Sequence, residues 1–178
     1  MEPRQVRTAA DARELVESRG AQHVKVGVFD IDGIMRGKYI SRDKFLSSLD
    51  GGFGFCDVVL GWDCQDQLYD NVKYTGWHTG YPDAPVRLLP DTCRLLPFED
   101  NGLFFLGEFS PPGEAVCPRG LLRRVLERGR AMGFEAYVGF EYEFFVFKET
   151  PESVREKNYR DLTPMAPGWF GYSVIRNS

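Results

Sequence analysis

Glu135-Ala136-Tyr137-Val138-Gly139-Phe140-Glu141-Tyr142-Glu143-Phe144-Phe145-Val146-Phe147 alternates along its whole length. Side chains of an extended chain point to opposite faces in turn. Ala136, Val138, Phe140, Tyr142, Phe144 and Val146 therefore form one apolar face, which predicts a β-strand laid on a core. The other face carries Glu141 and Glu143 as same-side neighbours, about 7 Å apart at ~3.3 Å per residue, among Tyr137, Gly139, Phe145 and Phe147. Two carboxylates in a partly desolvated place each cost several kcal/mol, roughly, unless something positive accompanies them. A hard divalent cation, Mg²⁺ or Mn²⁺, shared with substrate phosphates fits oxygen ligands of this kind. Periodicity alone describes a solvated strand face with two glutamates equally well.

Upstream, Pro111-Pro112-Gly113 marks a boundary. After it, Pro118 opens a predicted helix whose Leu121, Leu122, Val125, Leu126 and Met132 share a face and which Gly133 ends. Before it, the spacing predicts a small mixed sheet with two helices. Thr8 to Arg19 reads as an amphipathic helix with Thr8 and Asp11 in capping-box spacing, Ala12, Leu15 and Val16 on one face, and Gly20 as its stop. His23–Ile31 and Ile34–Ile40 read as a hairpin closed by Asp32-Gly33 in a type I′ turn. Ser41 caps a second helix with Phe45, Leu46 and Leu49, and Val86–Leu89, Thr92–Leu96 and Leu103–Phe109 read as strands. Residues 51–83 show no usable period. Their aromatics, Trp62, Tyr69, Tyr74, Trp77 and Tyr81, predict an ordered functional loop. The polar tail ends in Trp169-Phe170-Gly171-Tyr172.

Composition narrows the function classes. With 43% hydrophobic residues in 178, the chain offsets its own entropy without metal or disulfide staples. A net charge of −4 with scattered arginines argues against a nucleic-acid partner. Neither a signal-like leader nor a run of 18 apolar residues is present, which predicts a soluble cytoplasmic protein with no membrane partner. Cys56, Cys64, Cys93 and Cys117 lack CxxC spacing and read as reduced packing residues. With only His23 and His78, a histidine-rich metal site is not expected, so any metal belongs on carboxylates.

Gly139-Phe140-Glu141-Tyr142-Glu143-Phe144-Phe145-Val146-Phe147 resembles the Gly-x-Glu-x-Glu-Phe-Phe-x-Phe strand of the glutamine synthetase family. Cys117-Pro118-Arg119 is similar to that family's Asp-Pro-Arg entrance to its first catalytic helix, with Cys117 in place of the acid. Val86-Arg87-Leu88-Leu89-Pro90-Asp91 resembles its apolar-Pro-Asp segment. Asp30-Ile31-Asp32-Gly33-Ile34-Met35-Arg36-Gly37-Lys38 is similar to the Asp-x-x-Gly-x-x-Arg-Gly-Lys form of amine-ligating members. The set runs in the family's order from about residue 24 onward. It implies an α+β fold, with a β-grasp-like N-terminal domain over 1–112 and the beginning of a catalytic α/β domain over 113–178.

The same resemblance implies an ATP-dependent ligase that joins the glutamate γ-carboxylate to ammonia or a small amine through a γ-glutamyl phosphate. Glu141 and Glu143 would be metal ligands for Mg²⁺ or Mn²⁺, and the full-length protein a homo-oligomer with inter-subunit sites. The family's ammonium-binding aspartate falls at Cys56 in Phe55-Cys56-Asp57-Val58-Val59, so Asp57, or Asp63 in Gly61-Trp62-Asp63, stands in for it, and the aromatic loop suggests an amine larger than ammonia. Ser178 comes before the family's remaining metal ligands and phosphate-binding arginines, so the chain alone is expected to be an incomplete, inactive portion. Two other readings compete. Val26 to Gly33 also resembles the Asp-x-Asp-Gly motif of haloacid-dehalogenase-type phosphatases, with Asp30 as nucleophile and Asp32 as acid, against which both aspartates read as turn chemistry. A non-catalytic interaction module is the second, with Trp62 and Trp77 at its surface.

Overall fold

The Thr8 hydroxyl accepts the Asp11 N–H and the Asp11 carboxylate accepts the Thr8 N–H, which starts helix α1 (Ala9–Ser18) as the capping-box spacing predicts. Ala12, Leu15 and Val16 of α1 are buried, and Ser41 caps α2 (Arg42–Gly51), which buries Phe45. The computed structural model describes residues 1–166 and 168, so Trp169-Phe170-Gly171-Tyr172 lie outside the described residues. Two compact units are present, Met1–Ala136 and Tyr137–Ser178.

The first unit is built on a five-stranded mixed sheet. Its strands are β1 (His23–Phe29), β2 (Met35–Ser41), β3 (Phe53–Cys56), β4 (Asp83–Leu95) and β5 (Leu103–Phe109), in spatial order β2-β1-β5-β4-β3. All neighbours are antiparallel except β1 and β5, which run parallel. The core joins Val24, Val26 and Val28 of β1 and Leu103, Phe105 and Phe109 of β5 to Leu15, Val16 and Phe45 from the helices. Phe45 and Phe105 pack with ring centroids 4.7 Å apart.

Several expectations are corrected. The hairpin does not close on a two-residue turn. Pairing ends at Phe29↔Met35, and a five-residue connection follows because the buried Asp30 carboxylate accepts the N–H groups of Asp32 (3.0 Å) and Ile34 (2.8 Å) and folds the chain around itself. The nominally aperiodic stretch contains β3, whose Phe53 and Phe55 are buried. Gly52 precedes it at φ 70, where a Cβ would meet the Val86 carbonyl oxygen at 2.4 Å. The two strands expected over 86–96 are one strand, β4, with a bulge between Leu89 and Arg94. There the Thr92 hydroxyl donates to Leu89 O (2.5 Å) and accepts the Leu106 N–H (2.9 Å), replacing a rung beside Pro90.

Helix α3 (Pro118–Ala131) begins where Pro118 predicts, yet Leu121, Leu122, Val125 and Met132 are exposed. α1 and α2 supply the helical residues of the core, and α3 meets the rest of the first unit through buried Gly120 and through Arg119 and Arg123, which pair with Glu108 of β5. The strand expected over 135–147 is absent: residues 134–146 carry no regular structure, and Phe140, Tyr142 and Phe144 are 78–86% exposed. Among the described residues no strand forms a ladder with it, and a lone strand has no stability of its own. Within the second unit, Phe147 forms a bridge with Pro164, and α4 (Pro151–Glu156) starts on a Thr150–Ser153 capping box.

Candidate functional site

Arg36 of β2 organises the loop that sequence marks as functional. Its Nε donates to Asp30 Oδ2 at 2.7 Å, Nη1 lies 2.6 Å from Asp66 Oδ1, and Nη2 donates to the Asp63 carbonyl at 3.4 Å. The guanidinium also stands over the Trp62 ring at 4.9 Å. Asp30 is fully buried, so this pairing and its two backbone donors compensate the charge. Such a carboxylate is not an open nucleophile, and the sheet is not a parallel doubly wound one, so the phosphatase reading finds no support. The Trp62 indole N–H is buried without a hydrogen-bond partner.

Asp63 shapes the turn that follows. Its Oδ1 accepts the N–H groups of Gln65 (2.8 Å) and Gln67 (2.9 Å). Tyr69 senses the charge here: burial, then the carboxylates of Asp32, Asp63 and Asp30, push its hydroxyl above its ordinary pKa. Asp57 opens the 3₁₀ turn Asp57–Leu60 and is buried, 4% exposed, with Thr75 Oγ1 donating to its Oδ1 at 2.5 Å. It makes no ion pair among the described residues. The nearby Tyr74 hydroxyl is raised by burial first and by the Asp57 charge second. Trp77, expected either to pack or to contact a partner, is 82% exposed and meets Tyr81 edge-on at 5.4 Å.

Glu141 and Glu143 are exposed in the second unit. They offer hard oxygen donors at an i, i+2 spacing, which suits a cation that keeps most of its waters and takes one or two carboxylates. Among the described residues no group of three or more His, Cys, Asp and Glu gathers into a metal cage. The carboxylates fit part of a Mg²⁺ or Mn²⁺ donor set. Burial pushes the Cys93 thiol up to about 11, in keeping with a packing cysteine.

Sequence reasoning missed two charge centres. One is the pairing of Arg36 with Asp30, two residues of the Asp30–Lys38 motif whose contact with each other was not read from it. The other is Glu108, a single carboxylate in the apolar strand β5, buried against Arg87, Arg119 and Arg123.

Residues 115–170 match the family model described as the glutamine synthetase catalytic domain. The chain is 44% identical over 158 residues to a type-1 glutamine synthetase 2 of Dictyostelium discoideum, covering 87% of this chain and 30% of the relative. It is 31% identical over 173 residues to a glutamate–isopropylamine ligase of a Pseudomonas species, covering 93% of this chain and 37% of the relative. The Plasmodium falciparum glutamine synthetase structure shares the fold over 75% of this chain and 24% of its own, with a TM-score of 0.53 at 17% identity. The chain thus spans about a third of the length of the curated relatives it matches. No helix among the described residues is long and apolar enough to cross a membrane.

Proposed function

The chain belongs to the glutamine synthetase family of ligases, and from that premise we propose that it serves an enzyme joining the γ-carboxylate of glutamate to ammonia or a small amine. ATP would drive the reaction through a γ-glutamyl phosphate. The observation that carries this reading is the match, over 87–93% of the chain, to relatives named as a glutamine synthetase and a glutamate–isopropylamine ligase. One of them is named for isopropylamine, which supports a small alkylamine beside ammonia as the nucleophile.

The division of labour follows from the residues. Residues 1–112 form a β-grasp-like first domain, supported by the order β2-β1-β5-β4-β3 with β1 parallel to β5. Residues 113–178 open the catalytic domain, supported by the family match from 115. Glu141 and Glu143 would hold divalent metal, which when bound neutralises the phosphates during phosphoryl transfer. Asp57 is the better supported holder of the amine as a cation: a buried carboxylate without an ion-pair partner among the described residues gains most from a bound ammonium. Asp63 then shapes the loop beside it. The enzyme would be a cytoplasmic homo-oligomer in which the first domain of one subunit completes its neighbour's site.

The test is ADP release by residues 1–178 joined to the remaining C-terminal portion of the Dictyostelium relative, with glutamate, Mg²⁺ and a panel of ammonia, isopropylamine, ethanolamine and polyamines. Turnover should depend on ammonia or one of the amines, and Asp57→Asn should raise the KM for that nucleophile more than it lowers kcat. ADP release indifferent to every amine would overturn the proposal.

A further inference from the structure

A groove of about 320 Å³ runs within the first unit between α3 and the β4–β5 strands. Arg87, Arg119, Arg123 and Arg130 line it against two carboxylates, Asp91 and Glu108, an excess of two positive charges in a chain whose net charge is −4. The Arg36 centre differs, because there one guanidinium faces two aspartates.

Glu108 lies at the base with its side chain 5% exposed, and three arginines converge on it. Arg123 Nη1 donates to Oε2 at 2.6 Å, Arg87 Nη2 donates to the same oxygen, and Arg119 Nε stands 3.4 Å from Oε1. That last pair attract by charge without aligning, so Arg119 Nε is buried with no hydrogen-bond partner. Arg123 also reaches Glu114, and Arg130 makes no ion pair among the described residues. One carboxylate cannot saturate three guanidiniums that carry five donors each. The side chains of Arg87, Arg119 and Arg123 remain 31–55% exposed, so their unused donors are accessible from the groove.

We propose that this groove is a binding site for a doubly charged oxyanion, the phosphate group of a small molecule or free phosphate itself. Planar guanidiniums recognise phosphate through paired N–H donors, and several around one anion outcompete water where a single surface lysine does not. Leu122 and Leu126 form an apolar wall of the groove against which an organic body would rest. The site stands apart from the proposed ligase chemistry and does not rest on it, since none of its residues is assigned to amine, glutamate or metal.

The experiment titrates the 178-residue chain with inorganic phosphate, with phenyl phosphate and, at matched ionic strength, with chloride, following the arginine side-chain N–H resonances. Phosphate should saturate one site and shift the Arg119 and Arg123 signals. Arg130→Gln, an exposed change, should weaken binding about tenfold, the order of one charge-assisted contact. Glu108→Gln should tighten it, because the guanidiniums lose their internal competitor. Arg87→Gln provides a second exposed variant if Glu108→Gln does not fold. Tighter binding of phenyl phosphate would identify the organic ester as the ligand class, and equal binding would identify phosphate itself. Shifts reproduced by chloride, or an affinity unchanged in Arg130→Gln and Arg87→Gln, would overturn the proposal.

Discussion

Strand β5 and residues 135–147 are both apolar, aromatic-rich stretches that carry glutamate, Glu108 in the first and Glu135, Glu141 and Glu143 in the second, and they meet opposite fates. In β5, Leu103 and Phe105 are fully buried, with β1 on one side and β4 on the other. In 135–147 the corresponding face is open, with Phe140 82% exposed. Alternation specifies which side chains share a face. It does not specify what covers the face, and a strand exists only where a neighbour supplies the ladder. The acids differ in the same way: Glu108 is neutralised by three arginines, whereas Glu141 and Glu143 remain open to an incoming cation.

The comparison is sharpest at its aromatic positions. Phe105→Ala should lower the stability of the chain by about 3–5 kcal/mol in a urea titration, because it empties the contact with Phe45. Phe140→Ala should stay within about 0.5 kcal/mol. Equal losses would mean that 135–147 packs like β5.

A smaller effect is expected at the Arg36 centre. Arg36→Ala removes the charged partner of Asp30 and leaves the buried carboxylate with two backbone donors. The cost should be about 2–3 kcal/mol, and Asp30→Asn in the same background should recover part of it. A double variant no better than the single one would deny the pairing its role.

Elements whose signals are local were legible from sequence. Thr8 with Asp11, Ser41 and Pro118 each fix a helix start through groups no more than a turn away. Strand β5 came out with its bounds because Leu103-Phe104-Phe105-Leu106 is an unbroken apolar run that Phe109 closes. β3 was hidden since Gly52 stands before its first phenylalanine and Gly54 between the two, and both glycines serve close approach of another strand, which a single sequence does not announce. The bulge in β4 depends on the Thr92 hydroxyl acting across to Leu106, and the Asp30 turn on an arginine six residues away. Of the candidate site, the residue types and the loop were readable. The environment that distinguishes buried Asp57 from turn-capping Asp63 was not, because Thr75 lies 18 residues from Asp57.

The second unit offers the mildest probe. Lys157 first, then Ser153 and the Thr163 N–H, pull the Glu149 carboxyl down to about 2 from its ordinary 4.5. A depressed acid contributes stability above its unfolded pKa and loses it as pH falls through its folded one. The clasp joining Glu149, Lys157 and Thr163 should therefore hold above pH ~4.5 and open towards pH ~2. The Thr163 amide resonance would report it, and a midpoint near 4.5 would show that Glu149 is unpaired in solution.

The central claim concerns the open carboxylates of the exposed segment. It is tested most directly by amine-dependent ADP release in the chain joined to its relative's C-terminal portion, comparing Glu141→Ala and Glu143→Ala with the parent across a Mg²⁺ titration. Each substitution should raise the Mg²⁺ requirement and lower turnover at least about tenfold at any Mg²⁺ concentration. Turnover and Mg²⁺ dependence unchanged in both variants would contradict the metal-holding role assigned to these two glutamates.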